Sequence, residues 1–342
     1  MSGGDKVFII AEAGINHNGD LDLARQMIKT AADCGADCIK FQTFRADQFV
    51  SDPRQTYTYK SRGKEVTESM LEMFRRYEFD RGQWCDIIDY CRENGITFSS
   101  TAQNPSDLDF LLSLTDLPFI KVGSDDLTNL ELISYYASKN KPMVISAGMA
   151  FAYEIEDAVR TIRECGNDAI TVLHCVSSYP TTAEEVNLKK IPVIRDAFGV
   201  KVGFSDHTIG STAALGSICL GAQVIEKHFT MDHDLPGPDH WFSITPVDLK
   251  KYIADIRFLE TALGQSILQP TPKELEMRKI ARRKVVAGCS LKAGETITID
   301  KIAFKRHNSE NALEPKSIDF ILGRRLSKDL DKDQPVELSS LE

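Results

Sequence analysis

Val200-Lys-Val-Gly-Phe-Ser-Asp-His207, a helix-length segment from Gly210 to Gly221, and Val224-Ile-Glu-Lys-His228 follow one another in this chain. Each outer run is short and apolar, and a connection of that length is what joins two neighbouring parallel strands. Each run also ends in a histidine. Both imidazoles are therefore expected on one rim of a parallel sheet, where α/β folds place their chemistry and where two imidazoles can share one metal ion.

The alternation extends outward from this unit. Apolar, β-rich runs recur at residues 7–11, 38–42, 97–101, 119–124, 143–147, 170–177, 200–207 and 224–230, with amphipathic helical segments at 21–34, 81–94, 107–114, 130–138 and 155–165. Eight such βα units predict a closed (β/α)8 TIM barrel. A doubly wound sheet would be expected to carry a glycine-rich nucleotide turn, and no G-x-G-x-x-G or Walker sequence occurs. Residues 46–79 break the rhythm after the second strand. They carry Tyr57, Tyr59, Lys60, Arg62 and Lys64, and so long a loop on the catalytic face is expected to serve as a lid or a substrate contact.

A last barrel helix at 247–263 is followed by Gln269-Pro-Thr-Pro272 and a charged helical stretch at 274–283. Beyond Lys284 the chain changes to short β-like pieces punctuated by Gly288, Gly294 and Gly323. The expected organisation is a catalytic barrel over 1–266, a linker over 267–283 and a small domain over 284–342. About 60 residues make only a marginal independent core, so the small domain is expected to lean on the barrel or on a partner subunit.

The chain has 342 residues and a formal net charge of −9, which provides no electrostatic footprint for nucleic acid or an anionic membrane. An anionic substrate then requires a local cluster of cations, hydroxyls and backbone donors. Met-Ser-Gly-Gly-Asp-Lys at the start lacks the features of a signal peptide, and no apolar run approaches a membrane span. The eight cysteines show no paired C-x-x-C spacing and read as reduced core thiols, so a cytoplasmic location is expected.

Several strands end in groups that can do chemistry. Glu12 closes the first strand in Glu12-Ala-Gly-Ile-Asn-His-Asn-Gly19. A carboxylate there can act as a general base or orient water, although the same stretch also reads as a helix-capping turn. Lys40 and Gln42 share one face of the second strand, and Lys40 suits either phosphate binding or a Schiff base. Thr101, Lys121, Ser124, Ser146, Ser177 and Ser205 close later strands. One hydroxyl at such a place is usually a terminator or cap, but six convergent donors describe a pocket for a dianion such as phosphate with a carboxylate beside it. His174 lies mid-strand and reads as a satisfied interior histidine. His207 and His228, with no third ligand in view, make an open site that suits Mn²⁺ or Mg²⁺ as a Lewis acid better than structural zinc. Asp239, in Pro236-Gly-Pro-Asp-His240, either accepts sugar hydroxyls or organises a proline turn.

Across its whole length the chain resembles the sialic acid (nonulosonic acid) synthase family, transferases that condense phosphoenolpyruvate with an N-acylated hexosamine. The motifs that carry the resemblance are Ile10-Ala-Glu-Ala-Gly-Ile-Asn-His-Asn-Gly19, Lys40-Phe-Gln42, Ser100-Thr101, Lys121-Val-Gly-Ser124, Ser146-Ala-Gly-Met149, His174-Cys-Val-Ser-Ser-Tyr-Pro180, Phe204-Ser-Asp-His-Thr208, Glu226-Lys-His-Phe229 and Pro236-Gly-Pro-Asp239. The resemblance implies that Lys40, Thr101, Lys121, Ser124, Ser146 and Ser205 hold phosphoenolpyruvate and that His207 and His228 hold the metal. It implies sugar-side or catalytic contacts for Glu12, Gln42, Tyr179 and Asp239. The C-terminal region is similar to the family's antifreeze-like (SAF) domain, which implies a domain-swapped homodimer in which Arg306 reaches the partner's barrel mouth.

The chain departs from the family's usual pattern at Gly123-Ser-Asp-Asp126, Ser177, Ala102 and Arg306-His-Asn308. The opening motif and Gly237-Pro-Asp-His240 look closest to the N-acetylneuraminate and legionaminate branches, with a pseudaminate synthase as the alternative within the family. Outside it, the competing readings are a Schiff-base pyruvate aldolase and a non-catalytic carbohydrate-binding or coat-assembly protein.

Overall fold

The computed structural model describes residues 6–342, which divide between Gly264 and Gln265 into two compact units. In the first unit eight parallel strands lie in the order Thr97–Ala102, Cys38–Thr43, Phe8–Gly14, Val224–His228, Lys201–Asp206, Ile170–His174, Met143–Ser146 and Ile120–Val122. The two outermost strands lie against each other, so the sheet curls into a nearly closed barrel. A helix follows each strand, from Leu21–Cys34 to Pro246–Leu263, which is the TIM-barrel architecture.

Local chemistry explains the element ends. Asp20 caps the first helix through its side chain, which accepts from the backbone N–H groups of Asp22 and Leu23, and Gly35 closes the helix in the left-handed conformation. Asp80 and Gln83 form a capping box at the start of the helix Arg81–Glu93. Among the described residues no helix is long and apolar enough to cross a membrane.

Strand periodicity sorts side chains into two environments. On the first strand Ile9, Ala11 and Ala13 face the surrounding helices, while Ile10 and Glu12 face the lumen. Cys38, Lys40 and Gln42 alternate with Ile39 and Phe41 in the same way. The lumen is thus plugged at one end by Ile10, Cys38, Phe119, Val144 and Leu173, and the next inward residues along these strands are Glu12, Lys40, Lys121, Ser146 and Cys175. A bulge between Glu12 and Gly14 shifts the register, with Gly14 at φ +52°. A methyl group added at Gly14 would lie 3.5 Å from Glu12 Oε1, 3.6 Å from Gln42 Nε2 and 3.8 Å from Asp239 Oδ2, so this glycine admits three polar groups to one corner.

Residues 46–79 are more ordered than a loop. A short helix, Ala46–Phe49, precedes an antiparallel hairpin of Thr56–Ser61 with Lys64–Ser69, and the helix Met70–Tyr77 follows. The alternating Thr-Tyr-Thr-Tyr sequence suits a strand, and Arg62 and Gly63 both adopt positive φ, the requirement of a two-residue hairpin turn. The fourth and sixth strands are shorter than their apolar runs, ending at Val122 and His174. Ser124, Ser177 and Tyr179 therefore lie in loops beyond the ladder.

The second unit pairs Arg283–Ala287 antiparallel with Ile302–Arg306. Its core is built from Val285, Leu291, Ile297, Ile321, Leu326, Leu330 and Val336, with most of the remaining chain in turns, isolated bridges and short helical pieces.

Candidate active site

At the C-terminal ends of the barrel strands lies a cavity of about 920 Å³. Its wall includes Glu12, Lys40, Gln42, Thr101, Lys121, Ser124, Ser146, Ser177, Tyr179, Ser205, His207, His228 and Asp239. Thirteen side chains expected from the sequence thus meet in one place. Arg306 lies in the second unit, on the strand Ile302–Arg306.

The floor is a buried charge network. Lys40 Nζ stands 2.7 Å from Glu12 Oε2 and 3.5 Å from Glu226 Oε2, and donates to Thr101 Oγ1 at 3.0 Å. Lys121 Nζ donates to Ser146 Oγ at 2.8 Å and lies 4.0 Å from Glu226 Oε1, which accepts from Ser205 Oγ at 2.9 Å. Nearby, Gly148 N–H donates to Ser124 Oγ at 3.0 Å. Two ammonium groups and four hydroxyls thus gather around the carboxyls of Glu12 and Glu226 at the end of the lumen, and the cations and hydroxyl donors suit a small, highly charged anion.

Burial and neighbouring charge divide the two carboxyls. Burial pushes Glu12 up to about 7, with Lys40 opposing the shift and Glu226 adding to it. Burial acts in the same sense on Glu226, but Lys121 and Lys40 outweigh it and hold that carboxylate below its ordinary range. Glu226 carries the standing negative charge, and Glu12 is poised to gain or lose a proton near neutrality. Burial lowers Lys40, yet Glu12 and Glu226 together raise it, so its ammonium persists. Lys121 is lowered by burial, which Glu226 only partly offsets.

His207 and His228 face one another with ring centroids 5.6 Å apart. His207 Nδ1–H donates to the Val176 carbonyl at 2.6 Å, which leaves Nε2 as the basic nitrogen, 3.4 Å from Ser205 Oγ. His228 Nδ1 is enclosed without a hydrogen-bond partner. Burial lowers both imidazoles, so both are neutral. Two neutral rings, one oriented by a carbonyl and one with an unpartnered nitrogen, fit a divalent cation with open coordination positions. Among the described residues no cluster of three or more His, Cys, Asp or Glu groups is arranged to hold a metal. The Tyr179 ring lies 4.1 Å from that of His207 at a tilt of 36°, and the Phe242 ring lies 5.2 Å from that of His228.

Asp239 shares the corner at Gly14 with Glu12 and Gln42, and burial pushes its carboxyl up to about 6. The hairpin contributes Tyr57, Tyr59, Lys60 and Lys64 to the same cavity. His174 takes no part in the lining; its Nε2 meets the Val186 carbonyl at 2.6 Å and its ring stacks on Phe204. Glu226, Trp241 and Phe242 also line the cavity and are not among the site residues expected from the sequence. Glu226 is legible by its period, because it stands two residues before His228 and so shares its face. Phe242 and Trp241 lie in an irregular segment where no periodicity marks the inward side.

A model of the NeuB family matches residues 27–268, and a model of the SAF domain matches residues 280–342. The chain is 38% identical over 335 residues to the N,N'-diacetyllegionaminic acid synthase of Campylobacter jejuni, covering 97% of this chain and 99% of that relative. It is 37% identical over 327 residues to the N,N'-diacetyllegionaminic acid synthase of Legionella pneumophila, covering 94% and 91%. The crystal structure of an N-acetylneuraminic acid synthetase from Leptospira borgpetersenii, in complex with citrate, superposes with a TM-score of 0.71 at 31% identity, covering 82% of this chain and 94% of that one. With its family matched over most of the barrel and its relatives matched nearly end to end, this chain belongs to the NeuB family and carries a C-terminal SAF domain.

Proposed function

We propose that the barrel condenses phosphoenolpyruvate with the open-chain form of an N-acylated hexosamine, yielding a nonulosonic acid and phosphate. The observation that carries this reading is one cavity of about 920 Å³ that brings together a floor with two buried lysines and several hydroxyls, a neutral histidine pair and Asp239. Lys40, Thr101, Lys121, Ser124, Ser146 and Ser205 bind the phosphate and carboxylate of phosphoenolpyruvate, with Ser177 at the edge. Gln42, Tyr179 and Asp239 take the sugar. Identity to the two legionaminic acid synthases supports 2,4-diacetamido-2,4,6-trideoxymannose as the sugar, and N-acetylmannosamine is the alternative within the same geometry.

In this mechanism the methylene carbon of phosphoenolpyruvate forms a bond to the sugar aldehyde carbon, and the aldehyde oxygen takes up a proton from solvent. The cation left at the enol ether carbon is stabilised by the adjacent phosphate oxygen. Water adds to that carbon and loses its proton to Glu12, whose carboxyl is tuned near neutrality. The tetrahedral adduct then expels phosphate and becomes a ketone. His207 and His228 would hold Mn²⁺ or Mg²⁺, which when bound supplies Lewis acidity toward the aldehyde oxygen. Lys40 and Lys121 keep the phosphate from leaving the floor before the new bond forms.

A Schiff-base aldolase is the second reading, favoured by the lowered Lys121. Phosphate release measured across N-acetylmannosamine and the 2,4-diacetamido-2,4,6-trideoxyhexoses tests the proposal and names the sugar. Trapping of pyruvate on Lys121 or Lys40 by borohydride, with no phosphate released from phosphoenolpyruvate in the presence of any of these sugars, overturns it.

A further inference from the structure

We propose that the tip of the hairpin 56–69 is the positioning element of the sugar-facing wall, acting through Ser61 and Arg62 on the segment that carries Asp239, Trp241 and Phe242. This deepens the synthase reading and rests on it for the identity of the substrate.

The segment 231–243 contains no helix or strand, so side chains and neighbouring chain must set its path. From within the barrel unit His240 holds it, with Nδ1 2.6 Å from Thr230 Oγ1 and Nε2 3.1 Å from Asn18 Oδ1. From the other side it is held by the hairpin. Gly237 N–H donates to the buried Ser61 hydroxyl at 3.2 Å, and Arg62 Nε–H donates to the Asp234 carbonyl at 2.8 Å. The Lys60 ammonium stands 5.0 Å from the centre of the Trp241 ring. Three consecutive hairpin residues thus engage three points on the segment, across more than 170 residues of sequence.

The tip is built for this task. Arg62 and Gly63 take φ of +50° and +74°, which closes the strands in two residues and directs the arginine out of the ladder. The foot of the hairpin is anchored by Glu68, which accepts from Tyr59 and pairs with both terminal nitrogens of Arg76 at 2.7 Å. Arg76 sits on the helix Met70–Tyr77, so the tip is carried on a braced lever. The anion floor stands on the strand ends, outside this clamp. The clamp therefore governs sugar binding and leaves phosphoenolpyruvate binding alone.

The test compares Ser61→Ala, Arg62→Ala, the double variant and Arg62→Lys in the full chain. Sugar KM is expected to rise about fivefold in each single alanine variant and roughly twentyfold in the double, with phosphoenolpyruvate KM within about twofold and partial recovery in Arg62→Lys. Hydrogen exchange across residues 232–242 should accelerate in the same variants. Equal changes in both KM values, or an unchanged sugar KM in an active enzyme, overturn the proposal. If the wild-type chain turns over no sugar, the synthase reading fails separately. Exchange then decides the clamp, and unaltered protection of 232–242 in the double variant rejects it.

Discussion

The Lys40 ammonium stands 2.7 Å from Glu12 Oε2, and the two residues are directly paired partners on adjacent parallel strands. Both side chains point into the lumen, where burial raises Glu12 against the pull of Lys40, and Glu12 and Glu226 together keep Lys40 charged. Lys40→Met should leave Glu12 and Glu226 facing each other across a closed floor. Denaturant titration is expected to show a loss of about 3 kcal/mol, the scale of breaking a buried pair. Glu12→Gln should differ. Because Glu12 is already half-protonated near pH 7, its neutral replacement is expected to cost about 1 kcal/mol or less, while kcat falls about a hundredfold through loss of the base.

Asp239 provides a pH signature. Its folded value of about 6 lies above its ordinary 3.8, so the folded state binds the proton more tightly than the unfolded state. The resulting contribution to stability is complete below about pH 3.8 and is lost as the pH rises through about 6. Sugar affinity runs the other way. The ionised carboxylate accepts from sugar hydroxyls, so sugar KM should rise as the pH falls below about 6, and Asp239→Asn should flatten that dependence.

The histidine pair predicts a separation of rate from stability. Chelation should abolish turnover and Mn²⁺ should restore it, while calorimetry shows a small shift, because two ligands add little to a core of this size. His207→Ala and His228→Ala should each slow turnover about a thousandfold, or about 4 kcal/mol of transition-state stabilisation. Retained activity of both variants in metal-free buffer would remove the metal from the reaction.

Arg306 tests the swapped homodimer. Arg306→Ala and Glu12→Ala are each expected to be inactive, and mixing them under conditions of subunit exchange should restore activity, since one mouth then combines an intact Glu12 with a partner's arginine. Exchange without recovery, followed by mass spectrometry of the mixed dimer, would exclude a contribution in trans.

Much of the site is legible in the amino-acid sequence, and the reason is periodicity. A strand's side chains alternate, so Lys40 and Gln42 are bound to share a face, and ending each apolar run in a polar group puts those groups on one rim. The rest lies where no period operates. The stretch 46–79 reads as a loop because its Thr-Tyr alternation is mostly polar, and a two-stranded ribbon has no core of its own to demand apolar residues.

The eight strand–helix units, the lumen-facing registers and thus the set of residues able to meet follow from local alternation along the chain and from the right-handed crossover. How they meet depends on packing in three dimensions. Glu226 lies 186 positions from Lys40 and 105 from Lys121, yet it is shared between them, and this sharing separates its protonation from that of Glu12. Likewise Ser61 reaches Gly237 only because barrel closure brings the second and eighth strand loops to the same mouth. Electrostatic coupling falls with distance in space and is indifferent to distance along the chain, so no reading of spacing alone could assign it.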